Sequence, residues 1–297
     1  MLRRWVHPGV LLALALLVAA AATPPPALAS GPCEAAPQAG SIRLMLPSGG
    51  RARSAIVHVP PGVAPARRLP IVLALHGSAA NGAFMERYTS LSSIADSQGF
   101  IPVYPDASGA WNADDRRTGA PDDVVFISDL LDRLRASWCV DARRVYALGV
   151  SSGGGMVARL ACDLSDRITA IASVAGSYAD LPACRPRRPV SVLEVHGTSD
   201  RIVPYNGRAP DGVGSVAMFL RGWRTRDRCH KPPARRRLAT RVFQNDFPGC
   251  ARGSAVQHIE IIGGGHQYPG AVPPDAGPRS TISASWRAWQ FFTGLHA

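Results

Sequence analysis

Residues 145–162 read VYALGVSSGGGMVARLAC, and the reading of this stretch decides the fold. Residues 145–148 form a short apolar run of strand length, and residues 156–162 form an apolar helical run. Between them, Gly149-Val150-Ser151-Ser152-Gly153 fits the pattern G-x-S-x-G. A strand that turns sharply into a helix can hold a serine in a strained conformation with its Oγ exposed above the sheet edge. Glycines on either side remove the side chains that would collide in such a turn. The stretch therefore predicts a buried strand, a nucleophile-bearing turn at Ser151 and a helix behind it.

Working outward, apolar runs of strand length recur at residues 71–75, 101–104, 170–174, 190–195 and 259–262. A helix is predicted behind Asp122-Asp123, where Val124, Phe126, Ile127, Leu130, Leu131 and Leu134 follow helical spacing and the acids suit a helix N-terminus. Residues 41–46 and 55–59 read as an opening antiparallel hairpin turned by Ser48-Gly49-Gly50. Residues 283–292, with Trp286, Trp289, Phe291 and Phe292, read as a closing helix packed on the sheet. Residues 206–253 read as a partly irregular excursion with one helix over 216–226. Strands alternating with helices predict the α/β class, with a mainly parallel central sheet covered by helices on both faces. No internal repeat and no linker divides residues 30–297, so one domain is expected.

Residues 1–29 read as a signal peptide. Arg3 and Arg4 precede a short apolar run over 10–22, and Ala27-Leu28-Ala29 supplies the small-x-small cleavage pattern. A lipoprotein centred on Cys33 is disfavoured by Pro32 just before it. The expected product is secreted, extracellular or periplasmic, with no membrane insertion after signal cleavage. All 6 cysteines follow the cleavage point, so three disulfides are expected, with Cys229–Cys250 the best single pairing because it brackets the excursion. No metal is expected, since no CxxC or HxxxH spacing occurs. The formal net charge is +12, and Lys231 is the single lysine among 33 basic residues. Arginine clusters at 185–188 and 221–237 read first as a solvated face and second as an attraction for acidic polymers. Nucleic acid is not an expected partner of an exported chain that lacks a basic helix with interleaved aromatics.

A serine hydroxyl needs an imidazole to take its proton and a carboxylate to hold that imidazole's tautomer. In α/β-hydrolases these follow the serine as acid and then histidine. Among His230, His258, His266 and His296, only His266 is presented at a strand end by a side-chain-free loop, Gly263-Gly264-Gly265. Asp200 follows a strand through His196-Gly197-Thr198-Ser199 and is preferred to Asp180 as the acid. The backbone N–H groups of Ser152 and Ser78 are the expected oxyanion donors, the second presented by His76-Gly77-Ser78 after the strand at 71–75. His76 itself precedes the serine and reads as a brace for that loop.

With these residues in place, the chain resembles the secreted feruloyl esterase and polyhydroxybutyrate depolymerase family of the α/β-hydrolase superfamily, similar to carbohydrate esterase family one. The resemblance rests on Leu75-His76-Gly77, Trp111-Asn112, Asp122-Asp123-Val124, Cys139-Val140-Asp141, Gly149 to Gly154, Leu160-Ala161-Cys162-Asp163, His196 to Asp200 with Pro204-Tyr205, and Gly263 to His266 with Pro269-Gly270. It implies the α/β-hydrolase fold, the triad Ser151, Asp200 and His266, and no cofactor. Tyr268 stands where the family often has tryptophan, and the loop around Trp111 carries Asp114, Asp115, Arg116 and Arg117. His76, Trp111 and Tyr268 are the expected pocket residues.

The expected function is a secreted serine esterase that hydrolyses carboxylic esters through an acyl-enzyme on Ser151. The expected substrates are feruloyl or acetyl esters of plant polysaccharide, oligomeric or polymeric. A polyhydroxybutyrate depolymerase is the alternative. A non-catalytic glycan-binding surface protein or an acyltransferase is the alternative of another class.

Overall fold

A computed structural model describes residues 38–64, 67–114, 122–179, 184–208, 212–272 and 281–295, all within the unit Pro32–Ala297. The expected signal peptide, Cys33, Asp115, Arg116, Arg117, Asp180 and His296 lie outside the described residues.

One ten-stranded sheet organises the chain, in the order β1-β2-β4-β3-β5-β6-β7-β10-β9-β8. Its centre is parallel: β4 (Ile101–Pro105), β3 (Leu69–Leu75), β5 (Val140–Val150), β6 (Ala170–Val174), β7 (Ser191–Gly197) and β10 (Val256–Ile261). An antiparallel hairpin closes each side, β1 (Gly40–Ser48) with β2 (Arg51–Val59), and β8 (Ala234–Ala239) with β9 (Val242–Phe247). The two-residue turn Gly49-Gly50 has positive φ at both positions, +55° and +72°, as the tightest hairpin turns require.

Side-chain alternation along buried strands divides the interior into two cores. In β3, Ile71, Leu73 and Leu75 face one core, while Val72 and Ala74 face the other. The first core receives α3 (Asp123–Ser137) through Phe126, Ile127, Leu130 and Leu134, α4 (Ser152–Asp163) through Met156 and Leu160, and α5 (Val216–Arg226) through Phe219 and Trp223. The second receives α1 (Gly82–Thr89) through Met85, α2 (Leu91–Gln98) through Leu91 and Ala95, and α6 (Ala284–Gly294) through Trp289, Phe291 and Phe292. Asp122 caps α3 by accepting from the N–H groups of Val124 and Val125, as its acids predicted.

The excursion over 206–253 differs from expectation. Its second half forms β8 and β9, which extend the sheet, and β8 carries Arg235, Arg236 and Arg237 exposed on the outermost strand. Charged side chains on an edge strand block further pairing, so a strand written in arginines presents no apolar periodicity to read. Cys229 pairs with Cys250 as expected, and Cys162 pairs with Cys184. Cys139 is also disulfide-bonded, and the described residues include no free cysteine. No helix among the described residues is long and apolar enough to cross a membrane.

At the foot of this region, Asp227 is buried, with Oδ1 3.3 Å from the N–H of Val190 and Oδ2 without a hydrogen-bond partner. Burial raises its carboxyl to about 7, against the lowering effects of the Val190 N–H and Arg226. A folded-state value above the unfolded one favours the protonated form. The stability it supports is therefore present in acid and is lost as pH rises from about 4 to 7. Asp227→Asn keeps the acceptor for Val190 and removes the ionisation. We expect the variant to melt like the wild type at pH 4 and to be more stable by more than about 1 kcal/mol at pH 8, a gain of several degrees. Equal differences at both pH values, by calorimetry, would refute this account.

Candidate active site

β4 and β5 lie on opposite sides of β3, so the chain reverses direction across the sheet there and a crevice opens at the carboxyl ends of the strands. Ser151 follows β5, Asp200 follows β7 and His266 follows β10, and all three stand on this edge.

Ser151 has φ +55° and ψ −118°, the strained turn expected of the motif. Its N–H donates to Val174 O at 3.0 Å, and its carbonyl accepts from Ser177 N at 3.0 Å, which ties the turn to the neighbouring segment. A Cβ on Gly153 would lie 2.3 Å from the carbonyl oxygen of Leu75, so α4 approaches β3 closely enough to require glycine there.

Asp200 and His266 meet through a second close approach. A Cβ on Gly197 would lie 2.3 Å from Gly264 O, and Ser199 N donates to that oxygen at 2.9 Å. The glycine run before His266 is thus laid directly against the end of β7. Asp200 is buried, and its Oδ1 accepts from the N–H groups of Ile202 (2.9 Å) and Val203 (2.8 Å). Its Oδ2 lies 2.7 Å from His266 Nδ1 and 3.3 Å from His196 Nε2. Burial would raise this carboxyl, but the hydrogen bonds from His196, His266 and Val203 outweigh it and hold Asp200 well below the usual carboxylate range. The carboxylate is ionised and fixed, and it faces one nitrogen of His266.

Ser151 and His266 line one cavity of about 670 Å³, together with Gly77, Ser78, Phe84, Arg87, Tyr88, Ile202 and Gln267. No hydrogen bond joins the Ser151 and His266 side chains, a contact that often tightens only when substrate is bound. Ser152 opens α4, where the first N–H groups have no intrahelical acceptor, and Ser78 lines the cavity that holds Ser151. A Cβ on Gly77 would lie 3.4 Å from Ser151 Cβ, so the loop after β3 is in contact with the serine. An alcohol and an imidazole on one cavity, with a buried carboxylate behind the imidazole, can together perform acyl transfer.

The three expected pocket residues lie elsewhere. His76 donates from Nδ1 to Gly77 O at 2.8 Å and accepts at Nε2 from Ala107 N at 3.1 Å, so both ring nitrogens are engaged. Burial lowers its pKa, against the raising effects of Gly77 and the Asp106 and Asp123 carboxylates. It is the loop brace that the sequence suggested. Trp111 is buried beside it and donates from Nε1 to His76 O at 2.8 Å. The Trp111 segment is anchored in turn, because Asn112 N donates to Asp123 Oδ2 at 2.8 Å and Asp123 pairs with Arg53 at 2.6 Å in the core. Tyr268 is buried against Ser285 at 2.7 Å and stands behind Tyr88, with ring centroids 5.4 Å apart. The cavity wall instead includes Phe84 and Tyr88, stacked 4.8 Å apart on α1, and Ile202 of the loop that holds Asp200. The signal for them was the Asn81 cap followed by aromatics four residues apart, just beyond the oxyanion loop. His258 sits buried in β10 and His230 lies exposed, neither on the cavity.

Residues 53–201 match the family described as Esterase PHB depolymerase. A protein named "Putative esterase NocK", from Nocardia uniformis subsp. tsuyamanensis, is 32% identical over 89% of this chain and 90% of its own. Feruloyl esterase B of Piromyces equi is 30% identical over 72% of this chain, which spans 42% of that longer protein. Among solved structures, the acetyl xylan esterase from Aspergillus awamori superposes with a TM-score of 0.59 at 16% identity, covering 82% of this chain and 94% of the other. That likeness shows the α/β-hydrolase fold.

Proposed function

Because the chain belongs to the Esterase PHB depolymerase family and is a carboxylic ester hydrolase, we propose that it is a secreted serine esterase in which Ser151, His266 and Asp200 act as nucleophile, base and orienting acid. The observation that carries the reading is the 2.7 Å contact between a buried, doubly anchored Asp200 and a His266 that shares its cavity with Ser151. His266 Nε2 takes the Ser151 proton as Oγ attacks the ester carbonyl. The N–H groups of Ser152 and Ser78 hold the oxyanion. The tetrahedral intermediate then collapses, the C–O bond to the alcohol breaks, and His266 returns the proton to the departing oxygen. Water, activated by the same imidazole, hydrolyses the acyl-enzyme to free acid and restores Ser151.

The substrates proposed are feruloyl or acetyl esters of plant polysaccharide, a reading supported by the names of Feruloyl esterase B of Piromyces equi and of a 27% identical relative in Neocallimastix patriciarum, "Bifunctional acetylxylan esterase/xylanase XynS20E". The stacked Phe84 and Tyr88 give an aromatic acyl group a flat surface beside the serine. A hydroxyalkanoate polyester is the second reading, favoured by Ile202 (67% exposed) and Phe84 (39% exposed), which put apolar surface at the cavity rim. Hydrolysis of methyl ferulate, acetylated xylan and polyhydroxybutyrate should be compared under one set of conditions. The expected order places ferulate or acetylxylan first, and Phe84→Ala with Tyr88→Ala is expected to lower kcat/KM for ferulate about tenfold relative to a short-chain aryl ester. A preference for the polyester by a similar margin would replace the polysaccharide reading. Secretion is supported by the disulfides Cys162–Cys184 and Cys229–Cys250, which persist in oxidising compartments.

A further inference from the structure

Behind Asp200, away from the cavity, lies a buried group of titratable side chains that the steps above do not use. Glu194 of β7 is fully buried, and its Oε1 accepts from the Tyr178 hydroxyl and faces His196 Nδ1, each at 2.9 Å. Its Oε2 lies 2.5 Å from His258 Nδ1 of β10, within ion-pairing distance although not aligned as a hydrogen bond. His258 Nε2 meets the Tyr205 hydroxyl at 2.8 Å. His196, 2% exposed, places Nε2 3.0 Å from Val203 O and 3.3 Å from Asp200 Oδ2. Tyr205 packs edge-on against the same ring.

The partners fix the protons. A carbonyl oxygen can only accept, so the contact with Val203 requires a hydrogen on Nε2. On the other side of the ring, Glu194 Oε1 is met by the Tyr178 hydroxyl and His196 Nδ1, and the His258 imidazole lies against Oε2, a setting that suits an ionised carboxylate. The second hydrogen therefore resides on His196 Nδ1. From this geometry we infer that His196 is held as an imidazolium between the carboxylates of Glu194 and Asp200, and is a positioning residue that balances the charge of Asp200 and so sets how readily His266 takes up a proton. Burial lowers the pKa of His196, but the contacts with Asp200 and Glu194 outweigh it and push it up to about 10. Burial likewise opposes ionisation of Glu194, and the two imidazoles beside it outweigh that and bring it down to about 2. With His196 charged, His266 sees one carboxylate whose charge is already partly answered. Without it, the buried group would carry an additional uncompensated negative charge, and protonated His266 would be favoured at the expense of the free base that the reaction needs.

The inference rests on the assignment of Asp200 and His266 above, and its tests separate the two. Histidine ring ¹⁵N NMR of the wild-type protein is expected to show both His196 nitrogens protonated from pH 6 to 8. One bare nitrogen at pH 8 would overturn the inference, whether or not the protein hydrolyses an ester. In kinetics on a neutral aryl ester, His196→Gln removes a positive charge beside Asp200 and is expected to move the acidic limb of the kcat profile up by about one pH unit. Glu194→Gln removes a negative charge from the same group and is expected to move it down. Looser packing alone would depress the rate at every pH without opposite displacements, so limbs that stay fixed or move together would overturn the inference. A wild type without esterase activity would remove the triad assignment and leave the NMR result to decide the charge on His196.

Discussion

Ser151→Ala is expected to lower ester hydrolysis by about 10⁴–10⁶-fold, the range seen when a triad nucleophile is removed. The same substitution should leave the melting temperature nearly unchanged. The Ser151 side chain makes no capping bond to α4, and the bonds that hold the turn run from its backbone N–H and carbonyl, which alanine retains. Loss of rate therefore reports chemistry rather than folding. The measurement is steady-state hydrolysis of a chromogenic short-chain ester with calorimetry alongside. A variant that keeps a tenth of wild-type activity would show that the acyl group is never carried by Ser151. Product analysis on acetylated xylan separates two further possibilities: free acid identifies a hydrolase, and acylated sugar formed in its place identifies an acyltransferase. A wild type that binds the glycan and turns over nothing would support the non-catalytic alternative.

The parts of this site that could be read from sequence are those where the backbone itself is constrained. Gly149 and Gly153 flank Ser151 because the first turn of α4 folds back on the end of β5 at Gly149 and packs on β3 at Gly153, each at a distance that excludes a Cβ, and Gly197 and Gly264 recur because two strand ends touch. Such contacts leave glycines at fixed offsets from the reactive residue, and a linear reading can find them. The parallel core was legible for a related reason: strands buried on both faces, such as β3 and β6, are mostly apolar runs without alternation.

What stayed hidden was set by tertiary partners. Glu194 sits inside the apolar run of β7, where a lone acid gives no sign that two imidazoles and a phenol will converge on it. The β8–β9 hairpin was masked by its arginines, one of which, Arg235, pairs with Glu260 of β10 at 2.8 Å. His76, Trp111 and Tyr268 were legible as important and misread as to place. Aromatic and histidine residues near a catalytic loop suggest a pocket, but each of these is itself buried with a polar atom bound to a neighbouring segment, and none of them lines the cavity.

Asp200→Asn tests the acid with nearly unchanged shape, and the expected loss is about 10⁴-fold in kcat. The direction follows from the contacts of the two carboxylate oxygens. Oδ1 accepts from two backbone N–H groups, those of Ile202 and Val203, so the asparagine carbonyl oxygen is obliged to take that position. Its NH₂ then replaces Oδ2 and points at His266 Nδ1 and at His196 Nε2. Nδ1 of His266 must now accept, which moves its hydrogen to Nε2, the nitrogen that should be bare to receive the serine proton. Flipping the amide would restore the acceptor toward His266 but would set an NH₂ against the N–H groups of Ile202 and Val203. The first orientation yields no competent base and confronts the Nε2–H of His196 with a second donor, and the second is opposed by two backbone N–H groups set against the NH₂. Some stability should be lost with it, about 1–3 kcal/mol for the buried mismatch, so activity is to be measured well below the melting transition. A folded Asp200→Asn enzyme that retains more than a tenth of the wild-type kcat would mean that another group orients His266. Tautomer-sensitive ¹⁵N shifts of His266 in the same sample are expected to show the hydrogen displaced from Nδ1 to Nε2.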